Sequence, residues 1–381
     1  MTNILLTLLS SNALNAVYGT FGIGMLIVLI VSPIKRGTIQ LNALRTPQFW
    51  LLFFFGITYT IVGVPTIQGI LYYLVVPLIA FVSGWSNCEV VTAPRDKVLK
   101  NIIYSIAVGF AIHAALNYTI NYGRVRWELV DFFSGRIRAA TGSGSINTIA
   151  FSLIPCILFI EKDKKLKWLG CIFAGISIAY AFLLGTRTQF LILAIVLMVV
   201  FPLYMQEKRG NNGVFLAIIA LSCIALFGFI AYHFDLLNIK TYIDESNLMA
   251  RYDAMDAVTA ADQNRLQKQW MGLINMFMYP FGGVEIEGHY HNMWFDIGRV
   301  GGIIPAELMI WYSVTTCLHA WRLSRCKLFE ISARYAILAV SMGIILNFAV
   351  EPVVEGIPEF WYISIVLNGA IEQVYNTSNV G

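Results

Sequence analysis

Long charge-free runs separated by short clusters of basic residues dominate this chain. No charged residue occurs among residues 1 to 34, from Pro47 to Cys88, from Trp168 to Thr186, or from Thr188 to Gln206. A helix needs about 20 apolar residues to cross a hydrocarbon core about 30 Å thick, and that length sorts the runs into elements. The pattern predicts about 11 spans: one at about 14–33, a hairpin of two within Pro47 to Cys88, and single spans at about 101–119 and 144–160. Two more meet at a turn around Arg187, the eighth lies at about 214–233, the ninth begins near His291, and the last two lie at about 335–350 and 359–375. The hairpin is expected to break near Gly63 and Pro65, where helix propensity fails.

Alternating these spans sorts the connectors into two sets. One holds Lys35, Arg36, Arg45, Arg95, Lys97, Lys100, the lysines of EKDKKLK, Lys208, Arg209 and the Arg322 to Arg334 cluster, and the positive-inside rule assigns it to the cytoplasm. The other set faces outward: the Arg124 to Arg138 interval, the Arg187 turn, a long loop at about 235–290, and the Glu351 to Glu359 loop. The expected fold is therefore an all-α polytopic transmembrane helix bundle. It forms a single integral membrane domain over residues 1–381, with a long extracytoplasmic loop carrying amphipathic helices.

Composition agrees and excludes a water-soluble globule. Of 381 residues 58% are hydrophobic and 13% charged, with a mean hydropathy of +0.69. The net charge of +4 matters less than where the basic residues lie. Six cysteines sit in or beside predicted spans, so neither a disulfide framework nor zinc spacing is visible. The N-terminus lacks a basic run before its apolar stretch and a small-residue cleavage site, so no removable signal peptide is expected. No nucleic-acid partner and no cofactor are expected.

Chemistry-bearing residues gather between Arg251 and Pro305. There a polar segment passes into a helical pattern, breaks at Pro280 and Gly282-Gly283, and feeds an apolar helix. Arg265 opens an amphipathic helix in which Trp270, Leu273, Ile274 and Phe277 recur at three and four, expected to lie against the membrane or the bundle and to end at Pro280. Read alone, Arg265 is that helix's solvated N-terminal charge. His289 and His291 flank Tyr290; two histidines one residue apart suggest a metal pair, but no third ligand is evident, and no metal site is predicted. An imidazole with an ordinary pKa of about 6.5 can instead take a proton from a sugar hydroxyl near neutral pH. Asp296 and Arg299 stand at the i, i+3 spacing of a mutual pair. Arg187, in GTRTQF between two apolar stretches, is expected at the interface or facing a polar cavity, because a mid-bilayer arginine costs about 2.5–3.5 kcal/mol.

These residues carry a resemblance. His291-Asn292, with nine residues between Asn292 and Gly302, is similar to the His-Asn signature of the bacterial O-antigen ligase and O-antigen polymerase superfamily. Arg265, Trp270, Pro280 and Gly282 resemble the series that precedes that histidine, GTRTQF its arginine-bearing turn, and GRIRAATGSGSINTIA its glycine-rich entry to a span, with Asn147 at the asparagine. The likeness covers about residues 136–305, and the spacing to Gly302 favours His291 over His289.

The resemblance implies a GT-C-like fold and a metal-independent inverting glycosyltransferase on the outer face of the bacterial inner membrane. The donor would be an undecaprenyl-diphosphate-linked glycan. Catalysis would fall to His291 as base, with Arg187 and Arg265 on the leaving diphosphate. Arg251, His289, Asn292, Arg136 and Arg138 would contact substrate. Polymerisation of lipid-linked repeat units is preferred, from the acidic residue soon after His-Asn in HNMWFD. The alternatives are ligation of the glycan to lipid A-core and transport of the same lipid, whose anionic head would also suit arginines. Expected partners are the donor, a glycan acceptor, membrane lipid and a polysaccharide chain-length regulator.

Overall fold

The computed structural model describes residues 41–88, 94–124, 129–132, 135, 137, 140–244, 246–249, 255–286 and 288–378. The first expected span, at about 14–33, lies outside them. The described residues are almost wholly helical, and their only bridge joins Val130 to Ile137. The longer helices are α1 (Pro47–Val62), α2 (Ile67–Asn87), α3 (Arg95–Asn121), α4 (Gly142–Ile160), α5 (Lys164–Leu184) and α6 (Arg187–Arg209). They continue with α7 (Asn211–His233), α8 (Met255–Met278), α9 (Met293–Gly301), α10 (Ile303–Arg325), α11 (Ile331–Val350) and α12 (Pro358–Thr377). Seven of them, α2 to α7 and α11, are long and apolar enough to cross a membrane, as a multi-pass membrane protein requires.

Local chemistry sets the ends. Thr46 caps α1, its hydroxyl accepting from Phe49 N at 3.3 Å, and Pro47 occupies the first helical position. The hairpin break falls where the sequence predicts it, between Val62 and Ile67. The ninth span differs from expectation. No single helix runs on from His291; α9 stops after nine residues and α10 begins at Ile303. The cause is Gly302, whose φ of +87° is open to glycine, and a Cβ there would meet Pro280 O at 2.2 Å.

By its own contacts the chain divides into two compact units. The first takes in the described residues of Tyr104–Thr259 and Leu338–Gly343. At its centre is α4, with 89% of its apolar window buried, against 11% for α7. A helix apolar all round and so little covered, as α7 is, presents that surface to lipid. Phe151 and Ile154 of α4 pack on Ala174 and Ala181 of α5. Asn147 bridges the same two helices: its Nδ2 donates to Ser177 O at 3.4 Å, and Ser177 Oγ donates to its Oδ1 at 3.3 Å.

The second unit holds the described residues up to Ile103, those of Ala260–Ile337, and those from Ile344 onward. Its α2 and α12 touch backbone to backbone: a Cβ on Gly84 would meet Val366 O at 1.9 Å, and one on Gly369 would meet Phe81 O at 2.1 Å. α10 and α12 are as long as the apolar helices but more polar, and Ser313, Thr316, Asn368 and Glu372 among their polar groups are buried. His319 Nδ1 lies 2.7 Å from Glu372 Oε1 and 3.0 Å from Gln48 Nε2 of α1, which ties three helices together.

Candidate functional site

The HYHN stretch enters α9 through a clamp. Asn292 is the N-cap, its Oδ1 accepting from Trp294 N at 3.1 Å and Phe295 N at 3.2 Å, while its Nδ2 donates to Ala349 O at the end of α11. Asp296, buried in the first turn, reaches back to accept from Tyr290 N at 2.8 Å and Asn292 N at 3.4 Å. His291 stands between those two residues, and its carbonyl accepts from Gln269 Nε2 of α8 at 3.1 Å. Its φ is +55°, a left-handed conformation that a non-glycine residue adopts only when its surroundings impose it. The imidazole is held at the surface of the clamp, 33% exposed, with Nδ1 3.9 Å from Oε2 of the buried Glu351.

Beside it lies a second cluster centred on Glu355. This carboxylate accepts from Tyr59 OH at 3.0 Å and from Arg299 Nη2, and His289 Nδ1 stands 3.5 Å from its Oε2. Arg299 Nε is 3.7 Å from Asp296 Oδ1, the pairing their spacing predicts, but Glu355 is its closer partner. His289 Nδ1 is also 3.9 Å from Asp296 Oδ1. The Glu355 oxygen facing it raises the His289 pKa above the ordinary imidazole value, against the opposing effect of burial.

The sign of the pH dependence follows. A raised folded pKa means that the His289–Glu355 attraction is fully present below the unfolded imidazole pKa of about 6.5 and is lost as pH rises through the folded value. The wild-type unfolding temperature, minus that of His289→Gln, is therefore expected to fall with rising pH across that window. A difference independent of pH would show that the pair does not form.

The sequence-predicted residues divide between the units. His289, His291 and Asn292 are brought together in the second, where Asn292 proves to be a helix cap. Residue 265 lies on α8 of that unit, one turn before Gln269 and well inside the helix, not at its first turn as its sequence context suggests. Arg136, Arg138 and Arg251 lie outside the described residues. Arg187 belongs to the first unit and opens α6 after the left-handed Gly185, which closes α5.

The turn at Arg187 is braced from the polar loop. Asn247 Nδ2 donates to Leu183 O at 2.7 Å and Arg124 O at 3.4 Å, and a Cβ on Gly185 would strike Asn247 O at 2.6 Å. The glycine-rich start of α4 meets the same turn, where a Cβ on Gly144 would lie 2.9 Å from Gln189 Nε2. Within this unit the structure thus joins three stretches assigned to one side by topology: the Arg124 interval, the Arg187 turn and the long loop.

Sequence reasoning missed Glu351, Glu355 and Tyr59. The usable signal was the EPVVEGIPE connector, whose acidic residues lie between apolar helices on the side assigned to the histidines. Among the described residues no three His, Cys, Asp or Glu groups are arranged to hold a metal ion. Compared with known families and characterised proteins, the sequence matches no family model and no individual protein.

Proposed function

We propose that the chain is an inverting membrane glycosyltransferase. It extends a glycan carried on undecaprenyl diphosphate by joining lipid-linked repeat units on the outer face of the inner membrane. The observation that supports this reading most is the backbone at His291. Two amide hydrogen bonds to Asp296 and one from Gln269 pin it in a left-handed conformation, and its imidazole sits at the edge of a buried acidic pocket. A side chain held at that conformational cost, in a chain otherwise built for lipid, suits a reacting group better than a packing residue.

In the proposed step the acceptor hydroxyl oxygen attacks the anomeric carbon as the glycosidic bond to the diphosphate breaks. The hydroxyl proton passes to His291, and the lipid diphosphate leaves as the anion. The resemblance assigns Arg187, of the first unit, and Arg265, of the second, to that anion; forked guanidinium groups match phosphate oxygens and stabilise charge as it develops. Glu351 is assigned to the far ring nitrogen, where it favours the imidazolium that forms. The outward orientation rests on the distribution of basic connectors.

The test is incubation of the purified protein in detergent with a synthetic lipid-diphosphate repeat unit, in the presence of a chelator, with mass analysis of the products. Chains of two or more repeats still on lipid diphosphate support polymerisation. Product formed only when lipid A-core is added indicates ligation, and no product with either acceptor indicates a carrier or another activity. Arg187→Lys keeps the charge and loses the fork, so transfer should fall by about tenfold or more at unchanged expression. Normal turnover by that variant would leave Arg187 a turn residue.

A further inference from the structure

Over its described side chains, helix α8 turns Gly272 and Met276 inward and most of its large apolar residues outward. Its packed side is made by Gly272 and Met276: a Cβ on Gly272 would meet Tyr290 and Phe295 at 2.9 Å, and one on Gly298 would meet Met276 Sδ at 2.9 Å. The opposite side carries Trp270, Met271, Ile274, Phe277 and Met278, all exposed, and the row runs past the helix end to Tyr279 and Phe281, the last 77% exposed. An apolar patch of this kind marks an interaction surface.

Just after the row, Pro280 O accepts from Ile303 N at 2.9 Å, and Gly283 N donates to Val300 O at 3.3 Å, so the row ends where α9 gives way to α10. Val300 packs on Gly63, where a Cβ would meet its Cγ1 at 2.6 Å, and Gly63 lies in the short connector that leads into α2. α2 is long and apolar enough to cross a membrane, and its first residue, Ile67, is 81% exposed, with Ile70 and Leu71 exposed behind it. The α8 row therefore ends beside the mouth of a spanning helix whose own apolar surface has already begun. On α10, Ile304 is exposed next to this junction and is followed on one face by Trp311, Val314 and Leu318. The row on α8 thus ends at the junction from which the exposed apolar face of α10 begins.

We propose that the Trp270–Phe281 face of α8 lies in the membrane–water interface, against the acyl chains of the leaflet that α2 enters. The bilayer, not a protein partner, is its occupant. Trp and Tyr at the two ends of the row fit this position, because amphipathic rings collect at headgroup level. The helix that holds the His291 carbonyl through Gln269 is thereby seated on lipid. This inference rests on the membrane character of the chain and stands or falls independently of sugar transfer.

The test uses the full chain in lipid nanodiscs, with native cysteines replaced and a nitroxide attached to Phe277→Cys, Phe281→Cys or, as a control, Gln267→Cys. Collisions with oxygen are expected to exceed those with a water-soluble nickel chelate severalfold at 277 and 281, and the order should reverse at 267. Chelate access at 277 and 281 equal to that at 267 overturns the proposal. So does shielding from both reagents with spin–spin broadening, which would assign the face to a second copy. If the cysteine-free chain does not fold, a photocrosslinker at Phe277 in the native chain decides: lipid adducts support the proposal and protein adducts overturn it.

Discussion

Replacing His291 with alanine is expected to leave a folded, monodisperse protein whose transfer rate falls by about 10²–10⁴-fold, the range that a positioned general base contributes. The backbone argument makes this variant informative. The hydrogen bonds that fix residue 291 come from its neighbours' amides and its own carbonyl, so they survive loss of the imidazole. Alanine at φ +55° adds no strain that histidine does not already bear. Donor binding should persist while turnover collapses, and single-turnover measurements with labelled donor separate the two. His289→Ala should have the smaller effect on transfer, because its imidazole is engaged by Glu355 and Asp296. Should His291→Ala retain wild-type transfer while His289→Ala does not, the base assignment moves by two residues.

Arg299→Ala is expected to destabilise the second unit by about 3–5 kcal/mol, the usual consequence of removing one partner from a buried charge pair. Arg299 is the guanidinium between two acids: it donates to Glu355 and lies 3.7 Å from Asp296, whose side chain is only 3% exposed. Without it both carboxylates stay in a largely buried pocket, with only the His289 imidazole beside them. Thermal unfolding followed by tryptophan fluorescence should show a drop of several degrees, and a second change, Glu355→Gln, should recover part of it because the uncompensated charge is gone. An unfolding temperature within a degree of wild type for Arg299→Ala would mean that water already solvates the cluster.

Much of the helical plan was legible along the chain, since a lipid solvent forces each spanning segment to satisfy its own backbone. The hairpin at Gly63 and Pro65 and the Arg187 turn could both be read locally, from charge-free length and turn residues. The polar helices α10 and α12 were harder to read. His319 and Glu372 look unsuited to a membrane until each is seen to be the other's partner.

What the sequence by itself determined is the solvent for which this protein is built and the order of its helices, because hydrophobic length and the placement of lysine and arginine are properties of single segments. What only the tertiary structure decided is which charges meet. The joining of His289 and Arg299 with Glu355, the approach of Glu351 to His291, and the break at Gly302 all depend on segments distant along the chain packing within a few ångströms. Ion pairing falls off over that distance and carries no periodicity, so no local pattern records it.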